Sequence, residues 1–227
     1  MAETTITVQG EFSAWYPAER ATVAASVLTD GPDRDDVFTR AVESSDAVRN
    51  LIESIHDKAA GPITWWSSDS VRVWSERPWN SQGKQLKAVF HAAVDFSAKF
   101  SDFDALARWV ESAAGIDAVT VSSIAWNLTD TTRTSATVEV RSRAVKDAVA
   151  KATVFAQSIG LGSVTAIALA DPGMLGDPSG GGGGMRPVSA RSAMSSTMVG
   201  GPGVPELALK PEEISVASIV DARFIAR

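Results

Sequence analysis

The chain has no cysteine, one tyrosine and two histidines among 227 residues. Without cysteine there is no disulfide framework, no thiolate nucleophile and no cysteine-ligated metal or cluster. No run of about 18 consecutive apolar residues occurs, so no transmembrane helix is expected. A basic surplus is missing as well: 21 Lys and Arg stand against 27 Asp and Glu, a formal net charge of −6. The charges are spread along the chain, which argues against nucleic acid or an anionic membrane as partner, since both need a basic face. The segment Met1–Arg20 has neither the basic nor the apolar region of a secretory signal, and a cytoplasmic location is the expectation. What remains is globular in character, 44% hydrophobic and 21% charged. A chain of this length buries about 70% of its unfolded surface and needs no covalent staple.

Catalytic patterns are equally scarce. His56 and His91 are far apart in sequence and form no H-x-x-H or H-E-x-x-H pair, so they make a poor transition-metal site. No G-x-S-x-G nucleophile elbow is present. The run Gly180–Gly184 lacks the Lys-Ser/Thr and the following helix that a phosphate loop requires. Asp33, Asp35 and Asp36 are the only dense acidic cluster, and a helix N-terminus accounts for them. Asn127-Leu128-Thr129 matches a glycosylation sequon but falls in a predicted strand. We therefore expect no catalytic residue, no cofactor, no metal and no enzymatic activity.

The order of elements is legible from periodicity. Ile6–Gly10 and Ala21–Leu28 read as strands. Asp30-Gly31-Pro32-Asp33 turns into a helix whose apolar positions Val37, Ala41, Val48, Leu51, Ile52 and Ile55 run to about Lys58, before Gly61-Pro62. Ile63–Trp79 reads as a strand or a hairpin's worth of strand. Lys87–Phe100 alternates cleanly, with Phe90, Ala92, Val94, Phe96 and Phe100 on one face and His91, Asp95, Ser97 and Lys99 on the other, a half-buried antiparallel strand. A short helix capped by Ser101 or Asp102 follows, with Leu106, Trp109, Val110 and Ala113 inward and Gly115 at its end. After a strand over Ala118–Leu128 comes a long helix ending at Ile159-Gly160. Its best-defined part starts near Ala144, where Ala144, Ala148, Ala152 and Ala156 form an i,i+4 column that permits close approach to a neighbouring element. Ser163–Leu169 and Ile214–Ile225 read as the last strands. Between Asp171 and Glu212 lie 10 of the 17 glycines and 6 of the 10 prolines, with no aromatic residue. Such a composition buries too little apolar surface to offset its ordering entropy, and mobility is the expectation. The predicted fold class is α+β: a mixed or antiparallel sheet with two long helices and one shorter helix packed on it. We expect a single domain over 1–170 plus 214–227, with 171–213 a Gly/Pro-rich flexible loop or assembly arm.

Seven tryptophans are the most suggestive feature. On a regular strand over Ile63–Trp79, Trp66 and Trp74 share a face with Thr64, Ser68, Ser70, Arg72 and Glu76, whereas Trp65 joins Ile63, Val71 and Val73. Exposed tryptophans call for a partner, and Trp and Arg are enriched at interface hot spots. Trp66, Arg72, Trp74 and Trp79 are thus candidate interface residues. A bulge or turn near Ser67–Ser70 that reverses the parity and buries them is the competing reading, and a small-ligand pocket is a third.

The helix Ala144-Val145-Lys146-Asp147-Ala148-Val149-Ala150-Lys151-Ala152, continuing through Ala156 to Gly160-Leu161-Gly162-Ser163-Val164, resembles the A-x-x-D-A-x-x-K-A-x-x-x-A-x-x-x-G helix and following strand of the SIMPL-domain family. That family was long catalogued as a domain of unknown function and includes periplasmic immunogenic proteins of Gram-negative bacteria. Val8-Gln9-Gly10, Pro17 before Ala21-Thr22-Val23, and Ile124-Ala125-Trp126-Asn127-Leu128-Thr129-Asp130 extend the resemblance over nearly the whole chain. The chain departs from the family pattern at Pro17-Ala18-Glu19-Arg20-Ala21 and at the Gly-Tyr that usually leads into the Lys87–Phe100 strand. The resemblance implies an α+β fold, assembly into a large ring-like or channel-like homo-oligomer, and an association with envelope and oxidative-stress phenotypes. It supplies no catalytic residue. The expected function is that of a self-assembling, non-enzymatic protein; a small-molecule binding module using exposed tryptophans is the alternative.

Overall fold

The computed structural model describes residues 3–175 and 209–227. In chain order the elements are β1 (Thr4–Tyr16), β2 (Arg20–Gly31), α1 (Arg34–Glu53), β3 (Ile63–Ser68), β4 (Arg72–Glu76), β5 (Val89–Phe100), α2 (Phe103–Ala114), β6 (Val119–Asn127), α3 (Asp130–Ser158), β7 (Val164–Ala170) and β8 (Ile214–Ala226). The strands divide between two antiparallel sheets, and with the helices they form two compact units. The fold class is α+β. Of the 171–213 excursion, residues 176–208 lie outside the described residues.

The first unit holds the sheet β1-β8-β7 and α3. β1 is longer than its apolar alternation suggests because all thirteen of its residues pair with β8, from Thr4 opposite Ala226 to Tyr16 opposite Ile214. One sheet face, carrying Ile6, Val8, Val220, Ala222 and Phe224, is buried against α3. On the helix side, Ala144, Ala148, Ala152 and Ala156 are fully buried, as the small-residue column predicts. Gly10 completes the contact. A Cβ there would stand 2.1 Å from the Ala144 carbonyl oxygen and 2.7 Å from Ala148 Cβ, so only hydrogen fits. Asp147, one turn along, accepts from the Glu11 N–H (2.9 Å) and from Lys151 (2.8 Å), and Lys151 also donates to the Gln9 carbonyl (3.1 Å). These hydrogen bonds hold the Asp147 carboxyl below the usual carboxylate range, the Lys151 bond contributing most. The same pair raises Lys151. The start of the excursion is tied to β8: the Gly173 N–H donates to Asp221 (2.7 Å) and Arg223 donates to the Leu175 carbonyl (3.2 Å).

The second unit holds the sheet β3-β5-β2-β6, with β4 following β3 along the same edge of β5, together with α1 and α2. Asp33 starts α1 by accepting from the Asp35 and Asp36 N–H groups at 3.0 Å each, and Asp102 does the same for Asp104 and Ala105 at the start of α2. The dense acidic cluster is thus a helix cap. α1 ends at Glu53, short of the Lys58 that its apolar period suggests. Beyond Ser54 the Asp57 carboxylate accepts from the Ala59 and Ala60 N–H groups and organises a turn instead. His56 therefore lies beyond the helix end and forms a bridge with Ile63. β2 alternates along most of its length and β5 does so from Val94 onward, and Val23, Val27, Val94, Phe96 and Phe100 face Val48, Ile52, Leu106 and Trp109 in one buried cluster. Phe100 and Trp109 meet with ring centroids 5.7 Å apart. Leu209 also packs against this cluster.

Gly10→Ala should destabilise the protein by about 2 kcal/mol or more in urea denaturation, because the new methyl overlaps the α3 backbone. A loss below about 0.5 kcal/mol would contradict the close approach. Asp147→Asn gives a pH-dependent effect. A carboxyl held low in the folded state contributes stability at neutral pH and loses it as the pH falls through its depressed value. The gap in denaturation midpoint between wild type and Asp147→Asn should therefore be largest at neutral pH and shrink on acidification below the usual carboxylate range.

Candidate interaction surface

Helices cover one face of the five-stranded sheet, and the alternation of β5 directs His91, Ala93, Asp95, Ser97 and Lys99 to the other. β2 places Thr22, Ala24, Ser26 and Leu28 beside them. Most of these side chains are short, apart from His91, Lys99 and the exposed Leu28. The exposed tryptophans of this face come from the β3–β4 edge.

β4 puts Trp74 directly opposite His91, and the two rings stack with centroids 5.2 Å apart and planes 18° from parallel. The stack covers most of the imidazole while Trp74 remains 45% exposed. Glu76 Oε1 stands 3.5 Å from His91 Nε2, off hydrogen-bond geometry, and Nε2 meets no hydrogen-bond acceptor or donor among the described residues. Asp30 lies opposite His91 on the other flank, on β2. Four residues further along β5, Asp95 forms an ion pair with Arg72. Both partners are substantially exposed, so the pair orients side chains more than it stabilises the fold.

At the far end of β5 the register decides which tryptophan is presented. Ile63 lies opposite Phe100, but Trp65 lies opposite Lys99, so Thr64 is an extra residue in β3. A bulge of this kind moves every later side chain to the other face. Trp65 is therefore 48% exposed on the helix-free face, and Trp66 is turned inward and packs against the core cluster. This corrects the expectation that Trp66 is exposed. A parity break does occur, at Thr64 and again between β3 and β4, not only near Ser67–Ser70. His91 and Lys99 are eight residues apart, which sets Trp74 and Trp65 about 26 Å from one another along β5 at roughly 3.3 Å per residue.

Trp79 belongs elsewhere. It bridges Gln85 in the hairpin that extends beyond β4 and β5, where Asn80 Oδ1 accepts from the Gln82 and Lys84 N–H groups at 3.0 and 2.9 Å. Gly83 supplies the left-handed conformation (φ 72°) that closes the turn. Trp79 is 67% exposed there. The structure thus places Arg72 and Trp74 on one sheet face, adds Trp65 and His91 to them, turns a partly buried Trp66 against the core cluster and leaves Trp79 on a hairpin. The role of His91 was half visible, since β5 alternation already put it on the polar face. Nothing local in Ile63-Thr64-Trp65-Trp66 announces the bulge.

The surface offers planar aromatic faces, the Arg72 guanidinium, and a mixture of short polar and charged side chains, Asp95 and Lys99 among them. Among the described residues no group of three His, Asp or Glu side chains is disposed to hold a metal ion, and no helix is long and apolar enough to cross a membrane. Antiparallel sheets covered by helices on one face, a Gly10–alanine helix contact and a long excursion before the last strand define an α+β protein of a particular build. The chain belongs to the SIMPL family, a protein of unknown function (DUF541), which it matches over residues 6–224. No curated protein matches it.

Trp66→Ser should cost about 2–4 kcal/mol of stability through lost core packing. Trp65→Ser should stay within about 0.5 kcal/mol of wild type, as surface substitutions usually do. Equal losses in urea denaturation would contradict the bulge at Thr64.

Proposed function

We propose that this protein is a non-enzymatic, self-assembling SIMPL-domain subunit that acts in the cytoplasm as a large ring-like or channel-like homo-oligomer with a stress-related role. The observation that carries the reading is the pair Trp65 and Trp74, both about half exposed on a sheet face that no helix among the described residues covers. Large aromatic side chains gathered on one surface are characteristic of interaction sites, and soluble monomers leave few of them uncovered. Trp74 is held rigid by its stack on His91, and Arg72 is held by Asp95, so little side-chain entropy is lost when a partner covers them. Trp79 on its hairpin adds a third aromatic contact of the same chemical kind.

A second reading, a small-molecule binding module using the exposed tryptophans, is favoured by the Trp74–His91 stack, which offers a flat face to a planar ligand. It entails a monomer or dimer whose tryptophan fluorescence responds to that ligand.

Light scattering behind size exclusion at physiological salt separates the two. The assembly reading expects eight or more subunits for wild type, and the double variant Trp65→Ser/Trp74→Ser should fall to a much smaller species with its thermal midpoint retained. A wild-type mass near 23.9 kDa, or an unchanged mass in the double variant, overturns the assignment of these residues to an interface.

A further inference from the structure

The hairpin between β4 and β5 carries a charge opposite to that of the chain as a whole. Residues 77–87 hold three basic side chains, Arg77, Lys84 and Lys87, and no acidic one, against a net charge of −6 for the protein. All three cations are exposed and enter none of the ion pairs seen among the described residues. Trp79 and Leu86 stand between them, 67% and 47% exposed, and Trp79 is the most exposed tryptophan among the described residues. The backbone holds the hairpin in shape: the Asn80 N–H donates to the Lys84 carbonyl (3.0 Å) and the Leu86 N–H to the Pro78 carbonyl (2.8 Å). A protruding indole on an ordered hairpin loses little freedom when a pocket receives it.

The same unit contains a pocket of matching character. It lies between the C-terminal half of α1 and α2, opens to solvent, measures about 250 Å³, and has an apolar wall of Leu51, Ile55 and Pro62. A dry cavity of about 150 Å³ accepts benzene, so this one suits the larger indole. Segments 46–58 and 101–117, which form and flank it, carry seven acidic side chains and three basic ones. One of the three, Arg108, lines the pocket, and a guanidinium there can lie over an indole face.

Hairpin and pocket stand at opposite ends of the sheet. The hairpin continues β5 beyond Val89, opposite Glu76, whereas Pro62 precedes Ile63, which lies opposite Phe100. From Val89 to Phe100 is about 36 Å at roughly 3.3 Å per residue. Trp79 therefore cannot fill the pocket of its own chain.

We propose that Trp79 of one subunit seats in the α1–α2 pocket of the next, with the hairpin cations over the acidic segments around it. The partner is a second copy of this chain. Two different surfaces meet, so one contact leaves a free hairpin at one end and a free pocket at the other, and its repetition closes a ring or extends a filament. The contact rests on the self-assembly reading and adds a direction to it.

The chain contains no cysteine, so introduced pairs report cleanly. Ser81→Cys marks the hairpin tip and Ser54→Cys the pocket, both at exposed positions, and a short bis-maleimide links cysteines brought together. Co-expressed single variants should give a linked dimer, either variant alone should give none, and the double variant should give a ladder of three or more chains. Adding Trp79→Ser to the double variant should cut linking about tenfold or more with the thermal midpoint retained, and adding Lys84→Glu/Lys87→Glu should cut it similarly. A large wild-type mass in light scattering without such a ladder overturns this contact and leaves the assembly reading standing, whereas a wild-type mass of one chain overturns both. Links within either single variant, a double variant that stops at two chains, or linking indifferent to Trp79→Ser overturns the head-to-tail contact. Linking indifferent to the charge reversal overturns the role of the cations.

Discussion

Among the described residues, helices cover one face of each sheet, and the two-residue period of the strands enforces that asymmetry. Along β5, Ala92, Val94, Phe96, Ala98 and Phe100 must all be buried, so His91, Ala93, Asp95, Ser97 and Lys99 are committed to the opposite face together. A slip of one residue would exchange the two sets and place Asp95 and Lys99 in the core. The helix-covered face therefore specifies the register, and the register specifies what the other face presents. In the sheet β1-β8-β7 the same logic operates with a tighter tolerance. Gly10 and the alanine column of α3 bring helix and strand into backbone contact, where even a methyl group has no space.

Strand edges are handled with polar groups. β1 is an edge strand, and an edge is a template for unwanted pairing unless it is blocked. Asp147 and Lys151 take the Glu11 N–H and the Gln9 carbonyl, so one helix side-chain pair occupies the middle of that edge and clamps α3 to it. The i,i+4 spacing that makes Asp147 and Lys151 an ion pair on the helix also matches the two backbone groups they reach on the strand. On the five-stranded sheet, the β3–β4 edge is interrupted by the Thr64 bulge and by the break at residues 69–71, which keeps either segment too short for extended pairing and turns Trp65 outward.

The second unit thus carries two surfaces of opposite character. The helix-free face is shallow, aromatic at its ends and mixed in charge, suited to contact over a wide area. The pocket between α1 and α2 is small and mostly apolar. Trp109 links the cavity to the core, since the ring that packs on Phe100 also forms part of the cavity wall.

Much of the fold was legible before any coordinate. The alternation of β5, the caps at Asp33 and Asp102, the alanine column of α3 and the closing strand all act within one element, where local spacing reports the physics directly. The family was legible for the same reason, because its pattern is carried by the spacing of small residues in one helix. The exposure of individual tryptophans was not. Trp65 and Trp66 exchange faces because Thr64 is accommodated as an extra residue opposite Lys99, and that decision is made by pairing with β5. The cavity was equally hidden: Leu51, Ile55, Pro62, Arg108 and Trp109 come from two helices and a turn, brought together only when both helices pack on the same sheet face. Periodicity within an element is a property of the chain alone, whereas register between strands and the space between helices are settled by which neighbours each element meets.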